Sequence, residues 1–152
     1  MGAQDIAEIQ QLAVRYADAI SRGDVHAAVQ VYAADGSLET PTTEPARGRQ
    51  NVEKTIAQTV ATLEFVFQTV SLGVIEVDGS HAAARFPITE WARREGDGRP
   101  FLFLGWYEDD LELRGGSWCV TRRRLTPRLL GRPEFLGGQL HPAPVGGVEV
   151  QQ

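Results

Sequence analysis

The side chains best suited to chemistry in this chain are carboxylates, phenols and guanidiniums. Glu90 follows Phe86 and Ile88 at alternating positions, so the three share one face of a strand, opposite Arg85, Pro87 and Thr89. Phe103, Gly105, Tyr107 and Asp109 share one face of the next strand. Arg122, Arg123 and Arg124 must alternate on a third, so at least one guanidinium points inward, and the spacing does not say which. Tyr16 falls on the apolar stripe of a helix. A carboxyl desolvated among apolar residues is raised in pKa and can serve as acid or base. A phenol or a guanidinium can hold a developing oxyanion. Glu90 and Asp109 are candidates for an acid–base pair. The same residues also suit an ion pair with an arginine, closing the polar end of a cavity. Other chemistries lack their residues. Three histidines and a lone cysteine, Cys119, disfavour a multi-histidine or thiolate-rich metal site and exclude an internal disulfide framework.

The elements that must position these groups fall into two halves. Asp5 with Glu8 suggests a capping box, and Ile6, Ile9, Ala13, Tyr16 and Ile20 follow at helical spacing. Gly23 suits a helix end and Asp24 a new N-cap. Val25, Ala28, Val29 and Tyr32 predict a short second helix, Ser37 to Thr40 a brief strand, Thr42 to Arg49 a loop, and Val52, Ile56, Val60 and Leu63 a third helix. Four strands are then expected: Phe65 to Val77, His81 to Arg93, Phe101 to Leu113 and Ser117 to Leu125. Asp78-Gly79, Glu95 to Gly98 and Gly115-Gly116 turn between them. Helices first and strands afterwards predict an α+β fold. After Pro127 the composition shifts to Gly and Pro, so residues 1–128 read as the domain and 129–152 as a tail that is either loose or folded over a pocket or a neighbouring subunit.

The whole is 152 residues with a net charge of −5 and a pI near 5.2, the length of one ordinary domain. An acidic chain has no electrostatic footprint for nucleic acid or an anionic membrane. No apolar run approaches the roughly 20 residues of a membrane span, and the N-terminus does not read as a signal peptide. The expectation is a soluble, cytoplasmic protein that binds neither.

Several stretches, in order, carry a resemblance: Tyr16 to Asp24, Tyr32 to Leu38, Gly48 to Val52, Val77 to Gly79 with Ala82 to Ala84, Gly105 to Asp109, and Trp118 ahead of Arg122 to Arg124. Across residues 5–128 the chain resembles the nuclear-transport-factor-2-like superfamily, and more closely its SnoaL-like branch of polyketide cyclases, dehydratases and isomerases. The resemblance implies a cone: three N-terminal helices packed on a curved, mostly antiparallel sheet that encloses a pocket. It also implies a homodimer formed through the outer sheet face.

The family's catalytic positions are only partly filled. Where the ketosteroid-isomerase branch has a tyrosine, a general-base aspartate and a later acid, this chain has Tyr16, Thr40 and Tyr107. Threonine cannot take an α-proton at neutral pH. Where the dehydratase branch has an aspartate and a histidine, it has Ser21 and either Gln68 or Thr69. The aspartate that ends the limonene-epoxide-hydrolase set falls in the basic Thr121 to Arg123 stretch. What remains is a cofactor-free, proton-transfer enzyme, of a cyclase type closing a ring by an aldol step or epoxide opening. Its substrate would be a hydrophobic polyketide, terpenoid or steroid-like molecule. Glu90, Asp109, Tyr16 and Tyr107 are the catalytic candidates, with Thr40, Gln68, Phe86, Ile88, Phe103 and Arg123 against the substrate. A ligand-binding or scaffold protein on the same fold is the alternative, and a dehydratase or isomerase with replaced catalytic residues a weaker one. Tyr32 reads as a packing residue, Trp91, Trp106 and Trp118 as sheet packing or a dimer face, and Asp24 as a cap.

Overall fold

The computed structural model describes residues 2–96, 98–133, 141, 142 and 145. Helix α1 (Ala3–Ser21) buries Ile9, Ala13, Tyr16 and Ile20 along one stripe, as their spacing requires. It starts two residues before Asp5, whose carboxylate turns back to accept the Gly2 N–H at 3.0 Å. Asp5 also takes the Trp118 indole N–H, and Glu8 the Trp118 backbone N–H, which ties the start of α1 to the last strand. Asp24 caps α2 (Val25–Ala28) by accepting the Ala27 N–H. A 3-10 turn at Val29–Val31 follows. Tyr32 therefore begins a strand and does not end a helix.

Strand β1 (Tyr32–Glu39) is longer than expected, and the loop after it contains a two-residue strand, β2 (Ala46–Arg47), paired with β1. Helix α3 (Arg49–Val60) precedes β3 (Leu63–Val70) and β4 (Val74–Asp78). The long strands are β5 (His81–Arg94), β6 (Pro100–Arg114) and β7 (Ser117–Gly131). One mixed sheet results, in the order β2-β1-β7-β6-β5-β3, with β4 also on β5. Among the described strands only β1 and β7 run parallel. The fold is the α+β, helix-covered, mostly antiparallel arrangement that the sequence implies.

Two departures have local causes. The single strand expected over 65–77 is broken at 71–73, which faces Pro87 of β5. Proline has no N–H to donate to a neighbouring strand, so pairing lapses there, and the Pro87 carbonyl instead takes the Ser71 N–H. The gap is also filled from inside. A Cβ on Gly73 would sit 2.4 Å from the Phe86 ring, so glycine is what lets that ring pack there. The second departure is at Pro127. The β6–β7 register slips between Leu104 and Gly105, and a Cβ on Gly105 would lie 2.3 Å from the Thr126 carbonyl. This bulge beside a glycine bends the sheet, and β7 continues past Leu125 to Gly131. The tail expected over 129–152 lies mostly outside the described residues.

Candidate active site

The sheet and helices enclose a cavity of about 750 Å³. Its walls are aliphatic and aromatic: Ile20, Leu38, Ile56, Val66, Phe103 and Leu125 among them. A small polar set stands within it. Gln68 and Glu90 are directly opposed across the β3–β5 ladder, and the Gln68 amide donates to Glu90 Oε2 at 2.6 Å. The same Nε2 donates to the Tyr107 hydroxyl oxygen at 2.9 Å. With its lone pair engaged by Gln68, the Tyr107 hydroxyl can still donate its proton, to Gln68 Oε1 at 3.2 Å or to a substrate oxygen. Tyr16 stands edge-on to Tyr107, ring centroids 5.6 Å apart. Gln68 is anchored through its backbone, since its N–H donates to Ser21 Oγ at 2.8 Å. Ser21 on α1 and Gln68 on β3 are thus neighbours, joined by this hydrogen bond.

Electrostatics divide the polar residues by role. Burial pushes the Glu90 carboxyl above the ordinary carboxylate range, and the Gln68 N–H offsets part of the rise. Burial likewise raises Tyr16 and Tyr107, against the pull of the Arg123 charge. The two phenols are therefore hydrogen-bond donors at neutral pH and not bases, while Glu90 is a carboxyl able to change its protonation state against a ligand.

Beneath this set the cone is filled. Arg123 is the inward member of the arginine triplet and is 0 % exposed. It grips Asp109 with two parallel bonds, Nε to Oδ1 at 2.7 Å and Nη2 to Oδ2 at 2.6 Å. Its guanidinium lies 4.1 Å from the Tyr107 ring centre, 4.5 Å from Tyr16 and 5.7 Å from Tyr32. Arg122 and Arg124 point outward and share Glu39.

This arrangement corrects three expectations. Glu90 and Asp109 do not form an acid–base pair. Glu90 sits opposite Phe103 while Asp109 sits opposite Ala84, six positions along β5 and so about 20 Å of strand away. Asp109 is the ion-pair alternative realised, a carboxylate whose two oxygens are both taken by Arg123. Arg123 cannot touch a substrate, because the tyrosines cover it; it sets their positions from below. Phe86 and Ile88 are core residues behind the cavity wall, Phe86 packed into the Gly73 gap. Tyr16, Tyr107, Glu90, Thr40, Gln68 and Phe103 do line the cavity. Sequence reasoning missed Thr55, Thr59 and the 41–43 loop on one wall, and Arg94, Arg99 and Arg132 at the mouth. The inward parity of Arg94 with Glu90 and Ala92 was the available signal for one of them. His26 and His81 are exposed, near Glu53 and Glu112 respectively, away from the cavity. Among the described residues no group of three or more His, Cys, Asp or Glu could hold a metal ion, and no helix is long and apolar enough to cross a membrane.

The match that decides the family covers residues 2–124, which fit the SnoaL-like domain. The chain belongs to the SnoaL-like family. No curated protein matches the sequence. Among solved structures, this SnoaL-like chain is similar to a protein named as a scytalone dehydratase from Novosphingobium aromaticivorans (TM-score 0.77, 18% identity, 96% of each chain covered). It is also similar to a ketosteroid isomerase-like protein from Erwinia carotovora atroseptica (TM-score 0.73, 20% identity, 83% of this chain and 98% of that one). A third is hexachlorocyclohexane dehydrochlorinase LinA-type3 from Novosphingobium barchaimii (TM-score 0.77, 12% identity, 84% and 89%). At these identities the likeness establishes the fold; reactions vary widely across one scaffold.

Proposed function

We propose that this SnoaL-like protein is a cofactor-independent enzyme that closes a ring in a hydrophobic polyketide, terpenoid or steroid-like substrate by proton transfer. The observation that carries the reading is Glu90: a carboxyl raised by burial in an apolar cavity and hydrogen-bonded through Gln68 to Tyr107. With one carboxyl among the described lining residues, the aldol form is favoured over epoxide opening, which calls for a separate acid and base. Ionised Glu90 takes a proton from the carbon next to a carbonyl, and the electron pair moves onto that oxygen. Tyr16 and Tyr107 donate to the enolate oxygen. The enolate carbon attacks a second carbonyl of the same molecule, and the alkoxide so formed recovers the proton from Glu90.

The test needs no knowledge of the natural product. Cyclic ketones and β-dicarbonyl compounds are incubated with the protein in D2O, and exchange at the α-carbon is followed by NMR. The wild type accelerates exchange, and Glu90→Gln lowers the rate by about 10²- to 10⁴-fold, the range of one general base. Exchange that survives in Glu90→Gln overturns the assignment.

A second reading, a ligand-binding protein without turnover, draws on the replacement of the dehydratase pair, the aspartate by Ser21 and the histidine by Gln68 or Thr69. Thermal stabilisation by such compounds with no exchange in the wild type favours it. We also propose that the outer sheet face pairs two copies of the chain. Phe67, 53 % exposed, opposes Trp91 there, with Trp106 on the same face. Sedimentation of the wild type as a monomer at micromolar concentration contradicts this.

A further inference from the structure

The cavity is polar at two places with opposite character. The inner set holds Glu90, the one carboxylate among the described lining residues. The mouth holds three guanidiniums, Arg94, Arg99 and Arg132. They come from the same end of three adjacent strands: Arg94 ends β5, Arg99 immediately precedes β6, and Arg132 immediately follows β7. The Arg94 N–H donates to the Arg99 carbonyl at 3.3 Å, and Gly131 pairs with Leu102, so the strand ends are held side by side.

Three cations at one opening are unexpected in a chain of net charge −5. Six arginines are answered by acids: Arg22 by Asp18 and Asp24, Arg93 by Glu64, Arg114 by Asp35 and Glu112, Arg122 and Arg124 by Glu39, and Arg123 by Asp109. Among the described residues Arg94 and Arg132 have no carboxylate partner. The like charges of Arg94 and Arg132 repel one another, and an anion entering the mouth would offset that cost.

We propose that the mouth is a carboxylate-recognition subsite, and that the substrate is an amphiphile: an apolar body carrying a carboxylate at the end away from the reacting carbon. This deepens the ring-closure reading and rests on the same cavity. It adds a length. Arg94 is four residues along the strand from Glu90 on the same face, a separation of about 13 Å. Allowing for the reach of both side chains, the carboxylate and the reacting carbon stand on the order of 10 Å apart, the span of two fused rings with a short acid side chain. Planar, two-pronged guanidinium bonding selects for a carboxylate over an amide of the same shape.

The test compares 3-(2-naphthyl)propanoate with its primary amide by isothermal calorimetry at pH 7 and low salt. For the wild type the acid binds about tenfold or more tightly than the amide, the usual gain from hydrogen bonds to a charged group. Raising the salt to 0.5 M weakens the acid and leaves the amide unchanged. Arg94→Gln with Arg132→Gln, both on the exposed rim where folding is not at stake, brings the acid down to the amide. Equal binding of acid and amide to the wild type overturns the subsite and leaves the apolar cavity, and the ring-closure reading, standing. Binding of neither probe overturns both the subsite and the apolar ligand site beneath it. A preference that survives the double arginine variant also overturns the proposal.

Discussion

Glu90 and Asp109 are two carboxyls on the inward faces of adjacent strands, and the fold treats them in opposite ways. Asp109 lies in the filled end of the cone, where Arg123 takes both its oxygens and three tyrosine rings shut out water. Glu90 lies against the open cavity, with one hydrogen bond from Gln68 and a pKa raised by burial. A buried charge with a matched partner is a structural unit. A buried carboxyl left without a counter-ion is costly to ionise, and that cost is what equips it to exchange protons. The difference teaches that position on an inward face does not make a residue catalytic; what the neighbouring strand places opposite it does.

The comparison breaks most visibly on stability. Asp109→Asn leaves the Arg123 charge buried without its partner and should lower the unfolding free energy by about 3–5 kcal/mol in a denaturant titration. Replacing the pair together by Leu and Met should recover most of that loss, since the unpaired charge is then gone. At Glu90 the sign reverses. Between the ordinary value of 4.5 and its raised folded value, folded Glu90 keeps a proton that the unfolded chain has released. Wild-type stability therefore falls as pH rises through that window, and Glu90→Gln removes the fall. The variant should be at least as stable as the wild type at pH 7 while losing activity. Tyr107→Phe should cost about 1 kcal/mol of stability for its lost hydrogen bonds and lower α-carbon exchange by more than that loss explains. Smallest is Glu39→Gln on the outer face. Its solvent-exposed bonds to Arg122 and Arg124 are screened, and thermal unfolding should shift hardly at all.

Much of this contrast was legible in strand parity. Alternation along 86–90 and 103–109 put Glu90, Tyr107 and Asp109 inward, and the helical stripe did the same for Tyr16. Parity reads only direction, and three things escaped it. It could not say which member of Arg122 to Arg124 turned in, because either phase of the alternation suits the residues. That depended on the bulged register between β6 and β7. It could not separate Glu90 from Asp109 along the strands, because the distance between them follows from pairing across strands. It also placed Phe86 and Ile88 beside the cavity, when the Pro87 gap and Gly73 draw the Phe86 ring into the core. The mouth was missed for a related reason. Arg94, Arg99 and Arg132 are scattered in the chain and meet only because three strands end at the same edge.

The contrast reduces to whether Glu90 is the carboxyl that burial holds protonated above its ordinary range. Carboxyl-carbon NMR on protein with labelled glutamate, assigned by comparison with Glu90→Gln, measures that directly. The account predicts a Glu90 midpoint clearly above 4.5, the ordinary glutamate value. A midpoint at or below that value would contradict it, and Glu90 would then be one more satisfied carboxylate, like Asp109.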